Sequence, residues 1–366
     1  MRKHHPKNER IKRRYFAYLE EAKRMNPASV DQVAASIDLF EVSTGYRDFS
    51  AFHIEQARKF KRQLSDAIKP ATGKPLAKAT IVSRLLAAKA FFVWLAGQPG
   101  YKSKLTYPDA DYFNPSNTDT QIAKAVRERP APTLEQIRHV LANMPNETDI
   151  EKRDRALIAF TTLSGARDKA IATMSLRHVN LARRTVSQDA RDVHTKNHKT
   201  FTSSFFPVGE EIEAVVAEWI GFLVKVKLFG PDDPLFPVTH IALSDAGLFC
   251  TSGLERKHWR NAGAIRRIFR QAFEAAGLPY FNPHLFRNTL TLLGEKICPT
   301  PEAFKAWSQN MGHAHVLTTF TSYGQISRDR QAEILGALRH KRSGGGTEPD
   351  EETVRRVLDH LRKKAS

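Results

Sequence analysis

The sequence predicts a mainly α-helical protein with a small β-sheet, built as a helical domain followed by a larger mixed α+β domain. Three observations carry this. Apolar residues recur at helical spacing four times before residue 100. A stretch without period, "YPDADYFNPSNTDTQ", and then "VRERPAP" separate those helices from the rest of the chain. Beyond them, short β-rich patches, "RTVSQ" and "FTSSFFPV", sit among further helical segments.

The first helix spans about 7–25, with Ile11, Tyr15, Leu19 and Ala22 on one face, and Pro27 stops it. Ser29 and Gln32 fit a capping box for a second helix carrying Val33, Ile37 and Phe40, which Gly45 ends. Ser50 caps a third, with Ile54, Ala57, Phe60 and Leu64 inward. "KPATGKP" is a turn. A fourth helix runs from Lys78, with Ile81, Leu85, Ala88, Phe92 and Leu95 inward, and "GQPG" closes it.

Residues 107–121 read as a loop. Thr133 and Gln136 then form a capping box before Ile137, Val140 and Leu141. A helix from about Ile150 to Leu163 runs into "SGARDKAIATMSL". Among "RTVSQ", "DVHTK" and "FTSSFFPV", two strands pair across "KNHK". Helices return at 209–226, 255–276, 285–297 and 301–310. A Gly-rich joint and a short amphipathic helix close the chain.

The chain has 366 residues with 57 Lys and Arg against 39 Asp and Glu, a net charge of +18. That excess repels itself unless a polyanion neutralises it, and a nucleic acid does so with release of counterions; the alternative is a merely soluble basic protein. No run approaches the roughly 18 apolar residues of a membrane span. The charged N-terminus, "MRKHHPKNERIKRRYF", lacks the apolar core of a signal peptide, so a cytoplasmic protein with no membrane partner is expected. Cys250 and Cys298 are too few and too far apart for a disulfide framework or a zinc site.

Several residues carry possible chemistry. His284 and Arg287, in "NPHLFRNTL", stand three apart on one helical face, a good phosphate site and also an ordinary surface pair. Arg167 lies at the tight junction "SGARD", where it caps carbonyls or faces a cleft. Lys196, in "HTKNHKT", sits at the hairpin tip, as an exposed turn residue or a proton donor, and Lys199 competes for that role. In "MGHAHVLTTFTSYG", His313 follows a helix end and Tyr323 closes the stretch. Tyrosine is a nucleophile only against a polarised target, because its ordinary pKa is about 10. His313 and His315 lack a third ligand at useful spacing, so no metal or other cofactor is implied.

No motif decides singly; their order does. Arginine, hairpin lysine, His-x-x-Arg, Gly-His and a late tyrosine together resemble the tyrosine recombinases, or phage integrases, over most of the chain. The resemblance implies a basic N-terminal helix at 1–27 and a helical, SAM-like core-binding domain at 28–112. It then implies a linker at 113–132, a catalytic domain at 133–340 and a tail at 341–366. It also implies Arg167, Lys196, His284, Arg287 and His313 as catalytic residues around Tyr323 as nucleophile. The acid usual three positions after the first arginine is replaced by Ala170. The stretch from Arg287 to His313 is about three residues longer than is usual, and that from His313 to Tyr323 one longer.

The implied function is site-specific DNA recombination through a 3′-phosphotyrosine, by a homotetramer on paired DNA sites in a bacterial nucleoid. Rival readings are a type IB topoisomerase and a DNA-binding protein on the same scaffold without activity. The basic segment "ERKHWRNAGAIRRIFRQAF" places Arg256, Arg260, Arg267 and Arg270 at roughly helical spacing for phosphates and base edges, or as a solvated face. Lys78, Arg84 and Lys89 of the fourth helix are expected on the same duplex.

Overall fold

The computed structural model describes residues 4–70, 72–125, 130–195, 198–243, 248–313 and the positions 332, 335 and 336. The chain divides into two compact units, Met1–Val126 and Arg127–Ser366.

In the first unit, Pro6 opens α1 (Pro6–Ala17), where a missing N–H costs nothing, and a π-helical turn, Tyr18–Ala22, extends it. Pro27 starts α2 (Pro27–Thr44) instead of merely stopping α1. The cap is Asn26, whose side chain accepts from the Ser29 N–H at 2.9 Å, so the expected Ser29–Gln32 box is displaced by three residues. Gly45 ends the helix at φ +66°, as the αL cap requires. His53, not Ser50, caps α3 (Ile54–Asp66), with Gln56 closing a capping box; Ser50 lies in a preceding 3₁₀ turn.

The fourth helix, α4, runs Lys78–Ala96, and the expected loop after it is helical. Residues Tyr107–Phe113 form a 3₁₀ helix and Asn117–Lys124 form α5, capped by Ser116. Local capping there outweighs the absence of apolar period. By length and composition α4 can cross a membrane, with mean hydropathy 1.6 over 18 residues, which a search for unbroken apolar runs misses. Its Ile81, Leu85, Ala88, Phe91, Phe92 and Leu95 are buried in the core of this unit.

That core is aromatic. Phe40, Phe49, Phe60, Phe92 and Phe113 meet mostly edge to face. Tyr15 of α1 packs on Phe91 and Trp94 at 5.1 and 4.9 Å, and burial pushes its hydroxyl pKa up to about 12. A polar network pins the same helix. Lys12 reaches the fully buried Glu41 at 2.5 Å, and Asn8 donates to Glu41 and to the Arg47 carbonyl, both at 2.9 Å. Removing one member of a buried pair leaves the other charge uncompensated. Lys12→Ala should therefore destabilise this unit by about 3 kcal/mol. Urea unfolding of the full chain reads this as an earlier transition, and an unchanged midpoint would discard the network as a stabiliser.

In the second unit the predicted Thr133–Gln136 box caps the first helix, α6 (Leu134–Asn143). A second box, Thr148–Glu151, starts α7 (Asp149–Ser164). From Ala156 to Ser164 α7 is buried on every side, so its hydroxyls turn inward. Thr161, Thr162 and Ser164 each donate to the carbonyl four residues back. The short α8 (Asp168–Ile171) follows.

Strands β1 (Val179–Asn180), β2 (Thr185–Gln188) and β3 (Phe201–Ser204) form an antiparallel sheet in that order. "RTVSQ" and "FTSSFFPV" thus supply the hairpin, while "DVHTK" belongs to its connection. After α9 (Glu210–Lys225) comes a second hairpin that periodicity did not reveal, β4 (Val238–Leu243) with β5 (Phe249–Glu255). It takes Glu255 from the expected 255–276 helix, residues 256–262 are irregular, and α10 spans only Gly263–Ala275. The last helices are α11 (Leu285–Ile297) and α12 (Pro301–Asn310). The proposed tail lies outside the described residues.

Candidate active site

The site forms where α7 ends. Gly165 takes φ +60° there, and a Cβ would lie 2.9 Å from Leu290 and 3.0 Å from Phe206. Only glycine allows both the αL turn and that approach. The chain then passes through Arg167, extended at φ −76°, ψ 145°, in the N-cap position of α8. Its side chain is half-buried.

Arg287 enters from the first turn of α11 and is 3% exposed. One guanidinium nitrogen, Nη1, donates to the Gly165 carbonyl. The other, Nη2, donates to the Met311 carbonyl at 2.6 Å and to His313 Nε2 at 3.0 Å. Guanidinium has no acceptor, so His313 accepts at Nε2 and carries its proton on Nδ1. The end of α7, α11 and the residues after α12 therefore converge on one cation, although 122 residues separate Gly165 from Arg287.

His313 is buried and its backbone N–H donates to Ser308 at 3.3 Å. Gly312 before it has φ +75°, and a Cβ there would meet the Phe201 ring at 2.6 Å. Asn310 locks the same junction by bonding both backbone groups of Ser204, at 2.6 and 2.9 Å. A cleft of about 270 Å³ opens beside these residues, lined by Lys199, Thr200, Phe201, Gln309, Gly312 and His313. Lys199 thus borders His313, whereas Lys196 lies outside the described residues, as does Tyr323. His284 is exposed in the N-cap position of α11, its N–H on Asn282, so the two members of His-x-x-Arg differ sharply in burial.

Sequence reasoning missed one pair. Position 170, where the resemblance leads one to expect an acid, is a buried alanine. Asp168, directly after Arg167, bonds Arg266 of α10 at 2.8 Å and ties α8 to that helix. An acid adjoining the motif arginine was the available signal. Among the described residues, no three His, Cys, Asp or Glu are grouped to hold a metal ion.

The ordered motif is matched at family level. A model of the phage integrase family matches residues 133–330, more than half of the chain. The chain belongs to that family. No curated protein matches it in sequence. Among solved structures it is similar to a lambda integrase dimer bound to a COC′ core site, at 12% identity and TM-score 0.58, over 86% of this chain and 94% of that one. It is similar to the Tn1549 transposon integrase in complex with transposon right-end DNA, at 13% and 0.55, over 90% and 99%. It is also similar to the XerH site-specific recombinase bound to difH substrate, at 15% and 0.53, over 84% and 80%. At these identities the likeness is one of fold, and it agrees with the mainly helical class and small sheets.

The basic residues of this chain differ in how far they are already paired. Arg256 precedes α10; its guanidinium lies 4.6 Å over the Phe229 ring and donates to the Lys227 carbonyl at 2.7 Å. Arg260 also precedes the helix and is exposed. On α10, Arg270 stacks 4.3 Å over Tyr280, while Arg267 is exposed and its charge acts on Asp154. In the first unit Lys78 pairs with Asp119 at 2.7 Å and Lys89 with Asp111 at 2.8 Å; Arg84 is half-buried. A DNA phosphate competes poorly for a side chain already paired and stacked. The double change Arg260→Ala, Arg267→Ala should lower the salt slope of DNA binding by about 2, at about 0.9 per phosphate contact. Arg256→Ala should change it little. Equal slopes for all three proteins in band-shift titrations would remove Arg260 and Arg267 from the interface.

Proposed function

We propose that this integrase is a site-specific recombinase that cleaves and rejoins DNA through a 3′-phosphotyrosine on Tyr323. The observation that carries the reading is the convergence on Arg287. One buried cation gathers the segment leading to Arg167 and the backbone and imidazole at His313, which are the separate parts of the ordered motif.

Attack on a phosphodiester passes through five-coordinate phosphorus with added negative charge. Cations already fixed in place stabilise that charge without rearranging. Arg287 is held so by two carbonyls and a histidine, and Arg167 follows from a tight turn. In the proposed mechanism the two guanidinia meet the non-bridging oxygens and His313 adds a hydrogen bond. His284 helps take the Tyr323 proton, and Lys196 protonates the leaving 5′-oxygen. One P–O bond forms as another breaks, so the phosphoester energy is kept and rejoining needs no ATP. Lys199, at the cleft beside His313, is the alternative proton donor.

DNA recovered with the protein identifies the site. A nicked duplex of that sequence, which loses a short 5′-hydroxyl fragment on cleavage, should trap the protein as a denaturant-stable adduct. Specific binding without an adduct sinks the catalytic reading and leaves a DNA-binding scaffold. Relaxation of supercoiled plasmid without a defined site makes the protein a type IB topoisomerase instead. The proposed assembly is a tetramer on paired sites.

A further inference from the structure

The connection from β2 to β3 brings Lys199 to the cleft, and a histidine outside the ordered motif stands at its base. His178 ends the 3₁₀ turn Leu176–His178, just before β1, and is 5% exposed. Its Nδ1 accepts the Ser175 N–H at 2.9 Å, so the neutral ring carries its proton on Nε2. That Nε2–H is buried and has no hydrogen-bond partner among the described residues. It lies 3.7 Å from Asp192 Oδ2, beyond hydrogen-bond length but facing a carboxylate. Arg177 Nη2 holds the same oxygen at 3.0 Å. A buried donor left unmet is costly, and folds keep few of them.

Asp192 belongs to the connection, and its neighbours tie that connection to the segment that starts at Arg167. Val193 is buried in the core of the second unit. The His194 N–H donates to Thr173 Oγ1 at 2.9 Å, and that hydroxyl donates to the Ala170 carbonyl at 3.2 Å. The Ala190 N–H donates to Thr200 Oγ1 at 3.0 Å, joining the two ends of the connection. Lys199 and Thr200 then line the cleft beside His313. Residues 167–178 thus carry Arg167 at one end and grip the lysine-bearing connection at the other.

We propose that His178 is a positioning residue, which through Asp192 sets the β2–β3 connection so that its lysine reaches the leaving 5′-oxygen. The inference rests on the proposed phosphotyrosine chemistry and deepens it. Oδ2 needs to approach by only about 0.8 Å for His178 to donate to it at ordinary length. A displacement of about 1 Å in a reacting group costs on the order of a hundredfold in rate, so an anchor of this kind matters. In the step itself the lysine ammonium gives its proton to the leaving oxygen and becomes a neutral amine. His178 touches neither DNA nor phosphorus; it acts through Asp192 alone.

The test replaces the leaving group. Two nicked duplexes of the recovered site are compared, one with the natural 5′-oxygen at the scissile bond and one with sulfur there. A thiolate leaves without a proton, since thiols ionise near pH 8.5. The full-length chain is used, and single-turnover adduct formation is the readout. His178→Ala should slow cleavage of the oxygen substrate about 10²-fold, the low end for a lost proton donor. It should cleave the sulfur substrate at close to the wild-type rate and bind both duplexes normally. His178→Gln keeps an N–H donor near the Nε2 position and should restore most of the oxygen rate; His178→Asn, whose shorter amide falls near Nδ1, should not. Asp192→Ala changes a side chain 39% exposed, so it keeps the test decisive even where His178→Ala folds poorly, and it should show the same selective loss. Arg287→Lys should slow both substrates, because either leaving group develops charge on the non-bridging oxygens. Equal losses on oxygen and sulfur for the His178 and Asp192 variants would make the pair merely structural and overturn the proposal, as would a wild-type rate on oxygen. Wild-type adduct without this selectivity removes only the positioning role. Absence of wild-type adduct on both substrates ends the catalytic reading, and this inference with it.

Discussion

Tyr323→Phe is expected to bind DNA as the wild type does and to form no covalent adduct. The change keeps the ring and deletes the one atom that attacks phosphorus. Peptide mapping of the wild-type adduct should place the phosphate on Tyr323 and not on its neighbours. Ser322 is shorter and adjacent. Tyr280 falls before the His-x-x-Arg motif, and its ring is covered by the Arg270 guanidinium at 4.3 Å. The spacing from His313 to Tyr323, one residue longer than is usual, makes the outcome informative. A hydroxyl displaced by about 1 Å costs on the order of a hundredfold in rate. A slow wild-type reaction that Tyr323→Phe abolishes fits the assignment. An adduct that survives in Tyr323→Phe ends it.

How much of this was legible in the sequence differs by element. The Thr133–Gln136 box and the αL stop at Gly45 were readable because caps are local chemistry, fixed within three or four residues. That a hairpin lies between residues 184 and 208 was readable because β-branched and aromatic residues flank a turn-rich stretch, but which two of the three patches pair was not. The cap at Asn26 was not, since Ser29 and Gln32 offer an equally good local pattern and packing decides between them. The β4–β5 hairpin failed for the opposite reason: its outer residues are apolar, so the alternation of a half-buried strand is absent. The arginines after it then imitated one long helix. At the site, residue types and order were legible, but the bonds that hold Arg287 were not. They run to the carbonyls of Gly165 and Met311, and a backbone carbonyl leaves no mark on the sequence. The same limit hid the difference between Arg287, which is buried, and Arg167, which is half-exposed.

That difference separates two mutants that sequence reasoning treats alike. Arg167→Ala removes a half-exposed charge from an N-cap position and should lose cleavage with little change in stability. Arg287→Ala should lose both. It strands the Gly165 and Met311 carbonyls and the buried His313, and each unmet buried group costs about 1–3 kcal/mol. Loss of cleavage in that variant alone would therefore be ambiguous. Arg287→Lys resolves it: the charge and some donor capacity stay, while the planar fork that spans Nη1 and Nη2 is lost. Cleavage in Arg287→Lys should fall about 10²–10³-fold, the size of a lost preorganised donor. DNA binding should stay near wild type, because the cation acts mainly on charge that develops in the transition state. Thermal unfolding run alongside reports whether the lysine still satisfies the site. A folded, DNA-binding Arg287→Lys that cleaves at the wild-type rate would show that this arginine holds the three segments together and takes no part in the chemistry.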